Sequence, residues 1–144
     1  MNTRNIKRFF FREPATTMAQ STLLLVSRII FGFLFMSHGI TKWIVFGNMT
    51  ENFPDPLGLG PTLSYWLALF AEILCSFGVV LGALFRLCLI PIIFTMLVAV
   101  FVVHMGDPLP KVEPALMYLV IFIIMFICGP GYFSVDAAVR YTTR

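Results

Sequence analysis

The sequence predicts an all-α fold: an integral membrane four-helix transmembrane bundle with its N and C termini cytoplasmic. Three observations predict it. First, 59% of the residues are hydrophobic and 12% charged, against roughly 25% charged in an average soluble domain, and the mean hydropathy is +0.92. Second, the apolar residues gather into four runs, at about 22–46, 62–85, 87–105 and 114–128, each near the roughly 20 residues that cross about 30 Å of hydrocarbon. Third, basic residues mark alternate flanks of these runs. Arg4, Lys7, Arg8 and Arg12 precede the first, Arg86 separates the second from the third, and Arg140 and Arg144 follow the fourth; Glu51, Asp55, Asp107 and Glu113 occupy the other connections. The positive-inside rule then puts both termini in the cytoplasm. The chain divides into a tail at 1–21, a membrane domain at 22–128 and a C-terminal segment at 129–144, with no room for a soluble catalytic domain.

In the tail, Arg4-Asn5-Ile6-Lys7-Arg8-Phe9-Phe10-Phe11-Arg12 interleaves basic and aromatic residues, which suits a segment lying on anionic lipid headgroups. Nucleic-acid sites use the same mixture, but a triple Phe just ahead of a membrane span favours lipid. Membrane lipid is therefore an expected partner and nucleic acid is not. The first run is too long for a secretory signal core and lacks a small-residue cleavage site, so it is expected to stay as an anchor. At about 100° per residue, Gly32, Phe35, His38, Gly39 and Lys42 share a face with Arg28. That face is expected to point into protein. Lys42-Trp43 at its outer end reads as a headgroup anchor or, since Lys42 lies on the polar face, as part of a site.

The connection 48–61 holds Pro54, Pro56, Gly58, Gly60 and Pro61, a turn-rich outer loop suited to lidding a vestibule or meeting a partner. Its Asn48-Met49-Thr50 sequon has meaning only in a eukaryotic secretory membrane. In the second run Glu72 is the sole charged residue. A carboxylate at membrane depth costs about 2.5–3.5 kcal/mol on insertion scales and normally faces a bundle interior or a polar cavity. Tyr65, Ala68, Cys75, Ser76, Val79 and Ala83 cluster around Glu72 on the wheel, a face of small and polar residues that lets helices approach closely. Cys75, Cys88 and Cys128 form no Cys-x-x-Cys motif, and they read as small apolar packing residues, with no resolving thiol evident for Cys75.

At 1.5 Å per residue, Arg28 lies about 9 Å and His38 about 24 Å above the inner edge, Glu72 is near the midplane, and His104 reaches the depth of His38 at about 25 Å. Among the candidate partners of Glu72, which are Arg28, His38, Lys42, His104 and Glu113, Arg28 is thus the first choice. His38, Lys42, His104, Glu113 and Tyr65 would line a vestibule above them. The Arg28–Glu72 pair reads either as a structural ion pair or as one that also handles a proton or ligand. His38 and His104 with a carboxylate make a recognised metal ligand set, but no dense His/Cys motif accompanies them and no metal site is assigned.

The fourth run opens at Glu113-Pro114 and stops at Gly129-Pro130-Gly131, because proline cannot continue the helical ladder and glycine closes a helix end readily. Ser134 is placed to cap a short helix from Val135 to about Tyr141, with Asp136 in its first turn.

The pattern Arg28-x3-Gly32-x6-Gly39-x2-Lys42, then Glu72-x5-Gly78-x3-Gly82-x3-Arg86, then Glu113-x-Ala115 with Tyr118, and the ending Gly129-Pro130-Gly131-Tyr132-Phe133-Ser134-Val135-Asp136 resembles the DoxX family of small four-helix bacterial membrane proteins. The resemblance spans about 27–139. It implies a multi-pass protein of the bacterial inner (plasma) membrane and raises the expectation of a quinone-linked or redox-stress role beside a partner redox protein or subunit. On that reading Glu72 and His38 are the candidate catalytic groups. Arg28, Lys42, Tyr65, His104 and Glu113 are the candidate ligand contacts. A quinone is the expected cofactor, proton movement would accompany its redox change, and no haem, cluster or nucleotide motif is present. The rival reading is a non-catalytic scaffold or chaperone for a partner protein. A solute or proton pathway ranks third, since four helices enclose little volume without forming a homo-oligomer.

Overall fold

A computed structural model describes residues 17–48 and 50–142. The basic–aromatic segment from Arg4 to Arg12, Met49 of the sequon, Arg144 and the side chain of Arg140 lie outside the described residues. The described residues form helices and no strands: α1 (Met18–Phe46), α2 (Pro61–Leu81), α3 (Phe85–Val103), α4 (Leu109–Cys128) and a short α5 (Val135–Thr142). Each of the first four is long and apolar enough to cross a membrane. Successive helices pack side by side, α1 on α2, α2 on α3 and α3 on α4, and a thinner contact between α4 and α1 closes the bundle.

The helix ends differ from the hydropathy-based bounds wherever a cap, not hydrophobicity, sets them. α1 starts at Met18 because Thr17 and Gln20 form a capping box, in which the Gln20 N–H donates to Thr17 Oγ1 and the Thr17 N–H to Gln20 Oε1. α2 stops at Leu81, short of the expected 85, because Gly82 turns left-handed at φ +68°. Leu84 follows at φ +46°, a conformation that costs a side-chain-bearing residue, and Phe85 therefore begins α3. α4 starts at Leu109, not at 114. Pro110 sits in its first turn, where proline is tolerated, and Pro114 stands inside the helix, removing one bond to the Pro110 carbonyl. The fourth span thereby gains the length that the sequence bounds denied it.

The core is one apolar cluster at the centre of the bundle, with Phe35, Val79, Leu89, Ile92 and Phe122 essentially inaccessible. Phe35 packs edge-on against Phe122 at 5.1 Å between ring centres and against Tyr118 at 5.2 Å. The outward faces carry Phe33, Ile44, Leu74, Phe94, Phe101 and Ile127, the surface that lipid covers in a spanning bundle. Gly32 and Gly39 set the closeness of α1 and α2: a Cβ on Gly32 would come within 2.5 Å of Val80, and one on Gly39 within 2.9 Å of Glu72 Cβ.

Candidate functional site

α1 buries Ser21, Arg28, Gly32, Phe35 and Gly39, and α2 buries Tyr65, Ala68, Glu72, Cys75, Ser76 and Val79. These are the two faces that helical periodicity singles out. They bring together a different pair of charges from the one expected. Glu72, 1% exposed, forms its ion pair with Lys42, whose side chain is 33% exposed. Glu72 Oε2 is buried and has no hydrogen-bond partner among the described residues.

The correction follows from helix register. Gly39 lies directly against Glu72, and Arg28 is eleven residues, about 16 Å, further along α1. Lys42 is one turn from Gly39 on the same face and reaches Glu72. The backbone at Glu72 is itself irregular, since Phe70–Cys75 forms a π-helical stretch inside α2, a feature that recurs at functional positions in helices.

The other expected site residues are dispersed. His38 is exposed on α1, its ring edge-on to Tyr118 of α4 at 5.5 Å. Tyr65 is buried seven residues before Glu72, between Phe53 and Trp66. His104 does not join the pair: its Nδ1 lies 3.0 Å from Asp107 Oδ2 in the α3–α4 connection. That contact, with Lys111 behind it, holds the Asp107 carboxyl below its ordinary range. Glu113 is exposed on α4. Among the described residues, no three of His, Cys, Asp and Glu gather as metal ligands.

Arg28 is fully buried at the opposite end of the bundle. Its Nη2 donates to the Phe133 carbonyl and its guanidinium lies 5.8 Å from the Phe85 ring centre. Nε and Nη1 have no partner among the described residues. Asp136 does the larger job here. Its two carboxylate oxygens accept the Leu84 and Phe85 N–H groups at 2.8 and 2.9 Å, capping α3 from 51 residues away, and its own N–H donates to the Gly82 carbonyl. Ser134 Oγ donates to the Gly131 carbonyl and accepts the Ala137 N–H, which starts α5 as expected. The Tyr132 N–H donates to Ser21 Oγ, and Arg86 Nε donates to the Phe126 carbonyl near the end of α4. The Gly129–Asp136 ending is thus a clasp tying α1, α2, α3 and α4 together.

Sequence reasoning named Lys42 among the candidate partners of Glu72 but put Arg28 first, left Tyr118 out of the site, and gave Asp136 only its own helix. Gly39 was the one available signal, because a glycine on a helical contact face marks where the partner helix comes closest.

Four helices long and apolar enough to cross a membrane, packed closely around a buried carboxylate–lysine pair, define a small polytopic membrane protein. Residues 23–105 match the sequence model of the DoxX family. The chain belongs to the DoxX family. No curated protein and no solved structure matches it.

Proposed function

We propose that this DoxX-family membrane protein binds a quinone in the half of the bundle that holds Lys42 and Glu72, and that it is the membrane component of an oxidoreductase or redox-stress assembly in a bacterial inner membrane. The observation that carries the reading is Glu72: a fully buried carboxylate, irregularly wound into α2, with one oxygen on Lys42 and the other unpartnered. An unsatisfied polar atom at that depth costs about 1–3 kcal/mol, which a ligand donor bound beside the pair would recover. The donor set fits a quinone. The Lys42 ammonium and the His38 and Tyr118 side chains supply N–H and O–H groups suited to ring carbonyls, and His38 is open toward the lipid-facing surface.

When bound, a quinone supplies two-electron, two-proton redox chemistry. The chain's part is to orient the ring, hold a proton at Glu72 and exclude water from the pair. Arg28, His104 and Glu113 drop out of the contact set, Arg28 to the clasp and the other two to the outer connection. The scaffold reading keeps one specific support, the clasp itself, in which buried charge serves only to join helices.

Glu72→Gln separates the two readings. The variant is expected to insert and stay folded while its affinity for a short-chain ubiquinone, followed by tryptophan quenching in phospholipid nanodiscs, falls at least tenfold. Unchanged affinity in a folded Glu72→Gln protein sinks the quinone site.

A further inference from the structure

The carboxylate oxygen left over at Glu72 bears on which redox form of the ligand the site takes. Oε1 accepts from the Lys42 ammonium, whereas Oε2 is buried and has no partner among the described residues. Ser76, one turn further along α2, does not fill the gap, because its hydroxyl donates to the Ala71 carbonyl at 3.5 Å. A carboxylate in an ion pair accepts hydrogen bonds and donates none. Whatever completes Oε2 must therefore carry an N–H or O–H group.

The two redox forms of a quinone differ in just this respect. The oxidised ring presents carbonyl oxygens, which only accept. It can take a hydrogen bond from Lys42, whose ammonium has N–H groups beyond the one spent on Glu72, but it leaves Oε2 as it was. The hydroquinone presents hydroxyls, each a donor and an acceptor. One hydroxyl can donate to Oε2 while accepting from Lys42, and so satisfy both members of the pair. A site with a buried polar group made for a hydroxyl discriminates against the analogue that leaves the group unpaired. We propose that the Lys42–Glu72 site binds hydroquinone in preference to quinone, with Glu72 Oε2 accepting a ring hydroxyl. The proposal rests on the quinone reading and gives it a direction: the ligand arrives reduced, as the product of a quinone-reducing reaction elsewhere in the membrane. Lys42, 33% exposed, is the side of the pair open to the incoming ring.

The test measures binding to the full-length chain in phospholipid nanodiscs without oxygen, as the partition of each compound between protein-loaded and empty discs, read by chromatography. The probes are decylubiquinone, decylubiquinol and the dimethyl ether of decylubiquinol, which keeps the reduced ring but has no O–H group. The hydroquinone is expected to bind about tenfold more tightly than either of the others, the difference that one hydrogen bond to a charged acceptor makes. In Glu72→Gln, whose amide donates as well as accepts, the preference should shrink to within about twofold. Should that variant fail to fold, the three affinities of the wild-type chain decide alone. Equal binding of quinone and hydroquinone, or of hydroquinone and its ether, overturns the preference and leaves the quinone site standing, with water as the partner of Oε2. A preference that survives in folded Glu72→Gln overturns it too, and no binding of any probe to the wild-type chain overturns both readings.

Discussion

The two ends of this bundle both bury charge, and they do it in opposite ways. At the clasp, Arg28, Arg86 and Asp136 spend their hydrogen bonds on backbone groups: the Phe133 and Phe126 carbonyls, and the Leu84 and Phe85 N–H groups. At the other end, Glu72 and Lys42 meet side chain to side chain. Both ends leave buried polar atoms without a partner among the described residues, Nε and Nη1 of Arg28 and Oε2 of Glu72, so the contrast lies in what the charge is aimed at. Charge aimed at backbone fixes where helices begin and end. Charge aimed at another side chain joins two helices between their ends and, on the function proposed above, offers chemistry to a third party. The difference separates a joint from the proposed site.

The largest effect expected from breaking the comparison is at the joint. Gly82 is left-handed at φ +68°, and a Cβ there would stand 1.9 Å from Arg28 Nη1 and 2.6 Å from Ser134 Cβ. Gly82→Ala combines backbone strain of about 1–3 kcal/mol with overpacking of about 1–3 kcal/mol. Its thermal unfolding in detergent should drop by many degrees, and a variant with wild-type stability would show that the clasp is loose.

Next comes the site. Lys42→Met strands the buried Glu72 carboxylate. Breaking a buried pair costs roughly 3–5 kcal/mol, and the part-exposure of Lys42 brings this to about 2–3 kcal/mol. Adding Glu72→Gln should restore most of that stability without restoring ligand binding, a coupling that a double-mutant cycle reads directly. If the double variant is as unstable as Lys42→Met, the pair is a second joint and the contrast between the two ends disappears.

How far this contrast was legible in sequence depends on what each residue's partner is. The buried faces of α1 and α2 were readable because the 3.6-residue period puts Arg28, Gly32, Phe35 and Gly39, or Tyr65, Glu72 and Val79, in line. Membrane class and family followed from hydropathy and motif. Periodicity says nothing, however, about the sliding of one helix along another, so it offered Arg28 to Glu72 where register delivers Lys42. Asp136 capping α3 is likewise a contact between elements, with no local pattern to announce it. Gly82 was visible as a glycine, but hydrophobicity ran on past it to Phe85 and concealed the turn.

Asp136→Asn is a smaller break at the joint. It keeps the shape but offers one acceptor oxygen for the two N–H groups of Leu84 and Phe85, so about 1–2 kcal/mol should be lost, as for a removed helix cap. Faster amide hydrogen exchange at Leu84 and Phe85, with exchange at Glu72 unchanged, is the expected signature. Acceleration at both ends would mean that the clasp and the site open as one unit.

The smallest effect sharpens the comparison from outside the membrane. Asp55 in the α1–α2 connection accepts hydrogen bonds from Ser64 Oγ at 2.7 Å and from the Gly60 and Leu59 N–H groups at 2.8 and 3.0 Å, pinning the loop to the start of α2. These bonds, the Ser64 hydroxyl first, hold its carboxyl below the ordinary value of 3.8. A carboxyl depressed in the folded state lends stability that is fully present above its ordinary value and is lost as pH falls through the folded one. Protonation should therefore loosen the 55–64 segment only below about pH 4, measurable as faster amide exchange at Leu59 and Gly60 in a pH series. Asp55→Asn should exchange at those amides at one rate across the series, because the group that titrates is gone. Faster exchange at Leu59 and Gly60 in Asp55→Asn at neutral pH, with Leu84 and Phe85 exchanging at their wild-type rates, would place the loop and the clasp in separate cooperative units.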